Sequence, residues 1–259
     1  MRKTDPRLQR AADACEAGRH DEALAALLEV FAELDGPGAS AGISVFFTMF
    51  MWSRLAPDYA PARDALAALR DEQVRKLLAG DERFGVDAEG DSGYAHMRER
   101  FAIVVDMNEI LGDPASTRAM FIELERQDPV RAARRSWQVM KALVDTGDFA
   151  RADRYRGDPL RLLDGVNLDA RTLHLFPPAG GAPRLAADMM NLTNDVRIGM
   201  AVLRGLGRAD EAEALRTALL DGLESPELRA LAERELHAPG TINREITAHR
   251  IAYETSRPK

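Results

Sequence analysis

Disulfide chemistry is the first thing this sequence lacks. Cys15 is its single cysteine, so no intrachain disulfide forms, and a reducing compartment is expected. Cys15 shares a helical face with Leu8, Ala11 and Ala12, which reads as a buried structural thiol. Lysine is scarce as well. Lys3, Lys76, Lys141 and Lys259 are the only four among 35 basic residues, so the positive charge is almost all arginine. With abundant alanine, this points to coding bias in a GC-rich bacterial genome. An excess of basic charge is also missing. Asp and Glu total 42, and the formal net charge is −7. Binding nucleic acid without regard to sequence needs a concentrated basic face, so no nucleic-acid partner is expected. Two arginine clusters, Arg131, Arg134 and Arg135 and then Arg151, Arg154 and Arg156, read as solvated helix faces.

Long apolar runs are absent too. A membrane-spanning helix needs about 20 apolar residues. The most apolar stretch, Ile43 to Trp52, has half that number and runs into Arg54. A short helix that is apolar all round belongs in a protein core. Phe47, with Ile43, Phe46 and Phe50 on its side of the helix, is therefore expected to be buried. The opening "MRKTDPRLQRAADA" has no apolar segment of the kind that leads secretion, so a cytoplasmic location without membrane contact is expected.

What is present is helical periodicity. Leu and Ala recur three and four residues apart, Gly or Pro separates the segments, and no stretch alternates with period two. Helices are expected at 6–17, 21–34, 43–55, 60–79, 94–111, 115–127, 129–145, 149–156, 183–206, 210–222, 226–237 and 241–254. Pro61, Pro129, Pro183 and Pro226 stand at first-turn positions, and Ser225 reads as an N-cap. Residues 80–93 form an acidic loop. Residues 157–182 form the longest irregular stretch, with a helical turn expected at 168–174. Loops of that length often carry function. The class is all-α, an antiparallel helix-hairpin array. The whole chain, 1–259, reads as a single helical-repeat domain, with 157–182 as the place where it would divide.

Three turns repeat a spacing: Gly18 with Ala23, Gly147 with Ala152, and Gly207 with Ala212. Gly112 with Ala119 is a looser copy. Asp-Pro follows at Asp128-Pro129 and Asp158-Pro159. The pattern resembles the tetratricopeptide-repeat family. In that family glycine ends the first helix of a hairpin and a small alanine lets the second helix pack closely. The likeness covers about half the chain in pieces. The family's first-helix aromatic and Leu-Gly positions are mostly missing, and Trp137 stands one residue out of register. The resemblance implies stacked helix pairs and a surface that binds another protein.

Several motifs invite chemistry and lose it on inspection. Gly38-Ala39-Ser40-Ala41-Gly42 spells the G-x-S-x-G of a nucleophile elbow. That elbow needs a strand before the serine. A helical segment precedes it here, so the stretch reads as a connector with Ser40 or Ser44 capping the next helix. Asp87, Glu89 and Asp91 lack the glycine and glutamate of a calcium loop, since Ser92 and Arg98 stand in those places. Glu245 and His249 share a helix face, but a zinc site needs three or four ligands. No catalytic set, metal or cofactor is expected. Asn108 interrupts the apolar stripe Met97, Phe101, Val104 and Leu111, where it is either a structural asparagine bonding to backbone or part of a groove lining.

The expected binding residues are Arg184, Asp188, Asn191 and Asp195, a polar stripe on the longest helix beside the 157–182 loop. The expected function is that of a protein-binding helical-repeat module. A narrower form is an immunity-type inhibitor whose acidic charge suits a basic toxin. The rival is a small-ligand-binding protein or enzyme with a pocket under the 157–182 loop. The sequence sets neither the partner's identity nor the oligomeric state.

Overall fold

A computed structural model describes residues 5–36, 43–84, 99–177 and 181–256. Among them are thirteen α-helices and no strand; a lone antiparallel bridge joins Arg83 and Glu99. The chain is all-α, as its periodicity predicts. It divides into two compact units, Met1–Ala142 and Leu143–Lys259.

The first unit contains α1 (Pro6–Glu16), α2 (His20–Leu34), α3 (Ile43–Leu55), α4 (Ala60–Leu78), α5 (Arg100–Leu111), α6 (Pro114–Gln127) and most of α7 (Pro129–Asp145). Its core is built by Leu27 and Phe31 of α2, Trp52 and Leu55 of α3, Leu66 of α4, Phe84, and Ile103 and Met107 of α5. Cys15 is half-buried beside it, on the edge of the stripe Leu8, Ala11 and Ala14, and burial pushes its thiol pKa up.

Helix α3 departs from expectation. It buries Val45, Thr48, Met49, Met51, Trp52 and Leu55, and it exposes Phe46, Phe47 and Phe50. Phe47 is 40% exposed rather than buried. The reason is physical. A helix apolar on every side carries no sequence signal for which side faces inward, so packing against α1, α2, α4 and α5 decides it.

A buried ionic clasp ties this unit together. Arg100, 2% exposed, opens α5 and reaches Asp35 at the end of α2 (Nη1–Oδ1 2.9 Å) and Asp81 (Nη2–Oδ2 2.8 Å). Its Nε donates to the Asp81 carbonyl at 2.9 Å, and it also donates to Gln73 of α4 and to the Arg83 carbonyl. Asp35 further accepts from Gln73 Nε2 at 2.9 Å and from Lys76. Burial pushes the Asp35 carboxyl up, but the bonds from Lys76, Gln73 and Arg100 outweigh it and hold the group below its ordinary range. Asn108 is buried; its Oδ1 accepts from the Arg70 side chain, which also meets Asp113 at 3.1 Å, while its Nδ2 has no hydrogen-bond partner among the described residues.

The second unit contains α8 (Phe149–Tyr155), α9 (Leu163–Asp169), α10 (Arg184–Gly205), α11 (Ala209–Gly222), α12 (Pro226–His237) and α13 (Thr241–Ser256). Its core is α10's face of Leu185, Met189, Leu192, Val196 and Leu203, with Leu219 of α11 and Leu228 and Leu231 of α12. Ser225 caps α12, as expected, accepting from the Leu228 N–H. Pro183 sits one residue earlier than expected, at the N-cap of α10.

The repeated glycines and alanines do the work their spacing suggests. Gly18, Gly112, Gly147 and Gly207 all adopt left-handed φ, between 66° and 76°. Ala23, Ala152 and Ala212, five residues past their glycines, are fully buried. The looser copy is corrected. Ala119 is exposed, and the buried position after Gly112 is held by Thr117, again five residues on.

Candidate functional site

The expected polar stripe lies along α10. Arg184 Nε is 4.0 Å from Asp169, and Asp195 accepts from Arg161 at 3.0 Å. Both partners belong to the 157–177 segment, so half of the stripe is engaged in holding that segment down. Asp188 and Asn191 have no hydrogen-bond or ion-pair partner among the described residues.

The long irregular stretch is more regular than its composition suggests. Its helix is α9, at 163–169, rather than a turn at 168–174. Leu160, Leu162, Leu163, Val166, Leu173, Leu175 and Phe176 all pack against the core of the second unit. Buried Asn167 bonds both ways to the end of α11: Nδ2 donates to the Gly222 carbonyl at 2.8 Å, and Oδ1 accepts from the Glu224 N–H at 3.1 Å. A Cβ on Gly199 would come within 2.9 Å of Pro159, and one on Gly222 within 2.5 Å of Leu163. Those approaches leave α9 and its flanks docked closely on α10 and α11.

A cleft in the first unit is the better candidate. It has a volume of about 630 Å³ and is walled by α7 with Asp128 before it, by Ala102 of α5, by Glu99 of the bridge and by Glu82 next to the bridge. Helix α7 is strongly amphipathic. Ala132, Arg135, Ser136, Val139, Met140 and Leu143 form its buried face. Val130, Arg134 and Trp137, at i, i+4 and i+7, form an outward stripe. Trp137 is 70% exposed and Val130 64% exposed.

The three arginines of α7 have separate fates, which corrects their reading as one solvated cluster. Arg135 is buried; it reaches Glu82 (Nη2–Oε2 2.8 Å) and Glu99 (Nε–Oε2 3.2 Å) and lies over the Phe101 ring. Arg131 pairs through Nε with Glu82 at 2.8 Å and donates from Nη2 to the Leu77 carbonyl. Asp128 accepts the Arg131 backbone N–H and so caps α7. Arg134 has no ion-pair or hydrogen-bond partner among the described residues, and neither has the Gln138 amide. The cleft therefore offers one free cation, one free amide, an indole and an aliphatic side chain.

Sequence reasoning passed over Trp137 as an aromatic out of register. The signal was there: with apolar Ala132, Val139, Met140 and Leu143 fixing the inner face, Trp137 falls on the outer one. Elsewhere, His249 stacks on Phe176, and Glu245 pairs with Arg234 at 2.9 Å. Among the described residues no group of three or more His, Cys, Asp or Glu side chains is placed to hold a metal ion, and no helix is long and apolar enough to cross a membrane. Ser40, Asp87, Glu89, Asp91 and the first residues of the expected 94–111 helix lie outside the described residues. No family model matches this chain, and no curated protein or solved structure is detectably similar to it.

Proposed function

We propose that this chain is a protein-binding helical-repeat module that recognises its partner through the α7 cleft. The observation that carries the reading is the outward stripe of α7. An exposed indole, an unpaired guanidinium and an exposed valine stand together on one rigid helix beside a concavity. Trp and Arg are the side chains that most often supply binding energy at protein interfaces. The repeated hairpin turns, each with a left-handed glycine and a buried residue five positions on, support the tetratricopeptide-like reading of the array. The tight docking of α9 and its flanks weighs against a lid over a ligand pocket there.

The test is affinity capture with three versions of the protein: wild type, Trp137→Ala, and Asp188→Ala with Asp195→Ala. A partner recovered with wild type and with the α10 variant, but lost with Trp137→Ala while the helical signal is unchanged, supports the reading. A partner retained by Trp137→Ala and lost by the α10 variant places recognition on the polar stripe of α10.

A further inference from the structure

We infer that the α7 cleft takes an extended peptide segment in which one carboxylate stands two residues from a large apolar side chain on either side. This rests on the reading of the chain as a protein-binding module. Charge accounting selects the carboxylate. Three cations and three carboxylates line the cleft: Arg131, Arg134 and Arg135 against Glu82, Glu99 and Asp128. Arg131 and Arg135 are committed to Glu82 and Glu99, and Asp128 faces the α7 N-terminus, where it accepts the Arg131 N–H, so Arg134 is the lining cation with its charge to offer. A polyphosphate backbone would need several free cations and would meet three carboxylates. A single acidic side chain needs one guanidinium, which can hold it with two parallel hydrogen bonds.

Spacing selects the extended peptide. Along α7 the rise from Val130 to Arg134 is about 6 Å, and from Arg134 to Trp137 about 4.5 Å. An extended chain sets alternate side chains on one side about 6.6 Å apart. The first interval matches to within about 1 Å and the second is about 2 Å short, a gap within the reach of an indole side chain, so an apolar–x–acidic–x–apolar segment laid along the helix meets Val130, Arg134 and Trp137 in turn. The peptide's own backbone also finds partners. Glu99 uses Oε2 for Arg135, leaving Oε1 to accept an N–H, and the Gln138 amide both donates and accepts. The other strong candidates are closed or unanchored. The Arg100 guanidinium is consumed by its own clasp, and nothing shows what covers Phe46, Phe47 and Phe50.

The two tryptophans give the experiment its readout. Trp52 is fully buried, so acrylamide quenching reports on Trp137. The probe is a tryptophan-free peptide library with Leu-x-Glu-x-Phe fixed and the flanks degenerate, beside a matched library with Gln for Glu. The Glu library should protect Trp137 from quenching at roughly tenfold lower concentration than the Gln library, the scale of one charge-assisted hydrogen bond. The exposed Arg134→Gln variant, with unchanged helical signal, should erase that difference. Equal protection by both libraries, no protection by either, or stronger protection by a homopolymeric RNA would overturn the inference. If capture is lost with Trp137→Ala while the libraries behave alike, the module reading stands and the peptide chemistry falls. If capture survives Trp137→Ala, recognition through the α7 cleft falls, and the peptide chemistry falls with it.

Discussion

At the scale of single residues, Asp35 is the most informative side chain in the first unit. It closes α2, it is nearly buried, and it takes bonds from Gln73, Lys76 and Arg100. Its folded pKa is lower than its ordinary value of 3.8. The stability it contributes is thus fully present above pH 3.8 and is lost as pH falls through the lower, folded value. Asp35→Asn should cost about 3 kcal/mol at neutral pH, because the buried Arg100 loses a counter-ion. The gap to wild type in urea unfolding should close progressively below about pH 4. A gap that is unchanged at low pH would show that Asp35 matters by shape alone. None of this clasp was legible in sequence. Asp35, Gln73, Asp81 and Arg100 are spread over 66 positions, and no local period connects them. Asn108 was half legible: a polar residue on an apolar stripe announces a need for partners, but Arg70 as that partner is a tertiary fact.

At the scale of elements, caps and turns were legible because their causes are local. Ser225 before Pro226, and glycine where φ turns positive, are short-range chemistry. The orientation of α3 was not, because a helix with no polar side offers nothing to read. Two variants on that one helix test the observed orientation. Trp52→Ala should cost about 3–5 kcal/mol, as for other fully buried large side chains. Phe47→Ala, on the half-exposed side, should cost about 1 kcal/mol. Chemical denaturation decides between them, and comparable losses would mean that both faces of α3 are buried in solution. Helix α7 gives the complementary lesson. Its inner face was written plainly in the periodicity, so the exposure of Trp137 could have been read as a residue on the wrong side, and its partial likeness to a repeat-family position hid that.

At the scale of the whole molecule, the all-α class followed from periodicity that runs nearly the length of the chain. The division into two units had no such signal, because it falls between Ala142 and Leu143 near the end of α7, with no proline or glycine at that point. The irregular composition of 157–182 hid its apolar contacts: Leu162, Leu163, Val166 and Leu175 pack into the core of the second unit. Net charge is a whole-chain quantity, and it does not report the one unpaired guanidinium that the cleft presents. Recognition through α7 is the central claim, and site-specific photocrosslinking tests it most directly. Benzoylphenylalanine is placed at Trp137 of α7 in one sample and at Asn191 of α10 in another, each irradiated with the captured partner. The account predicts a covalent adduct from position 137 and none from position 191. An adduct from 191 with none from 137 would contradict it.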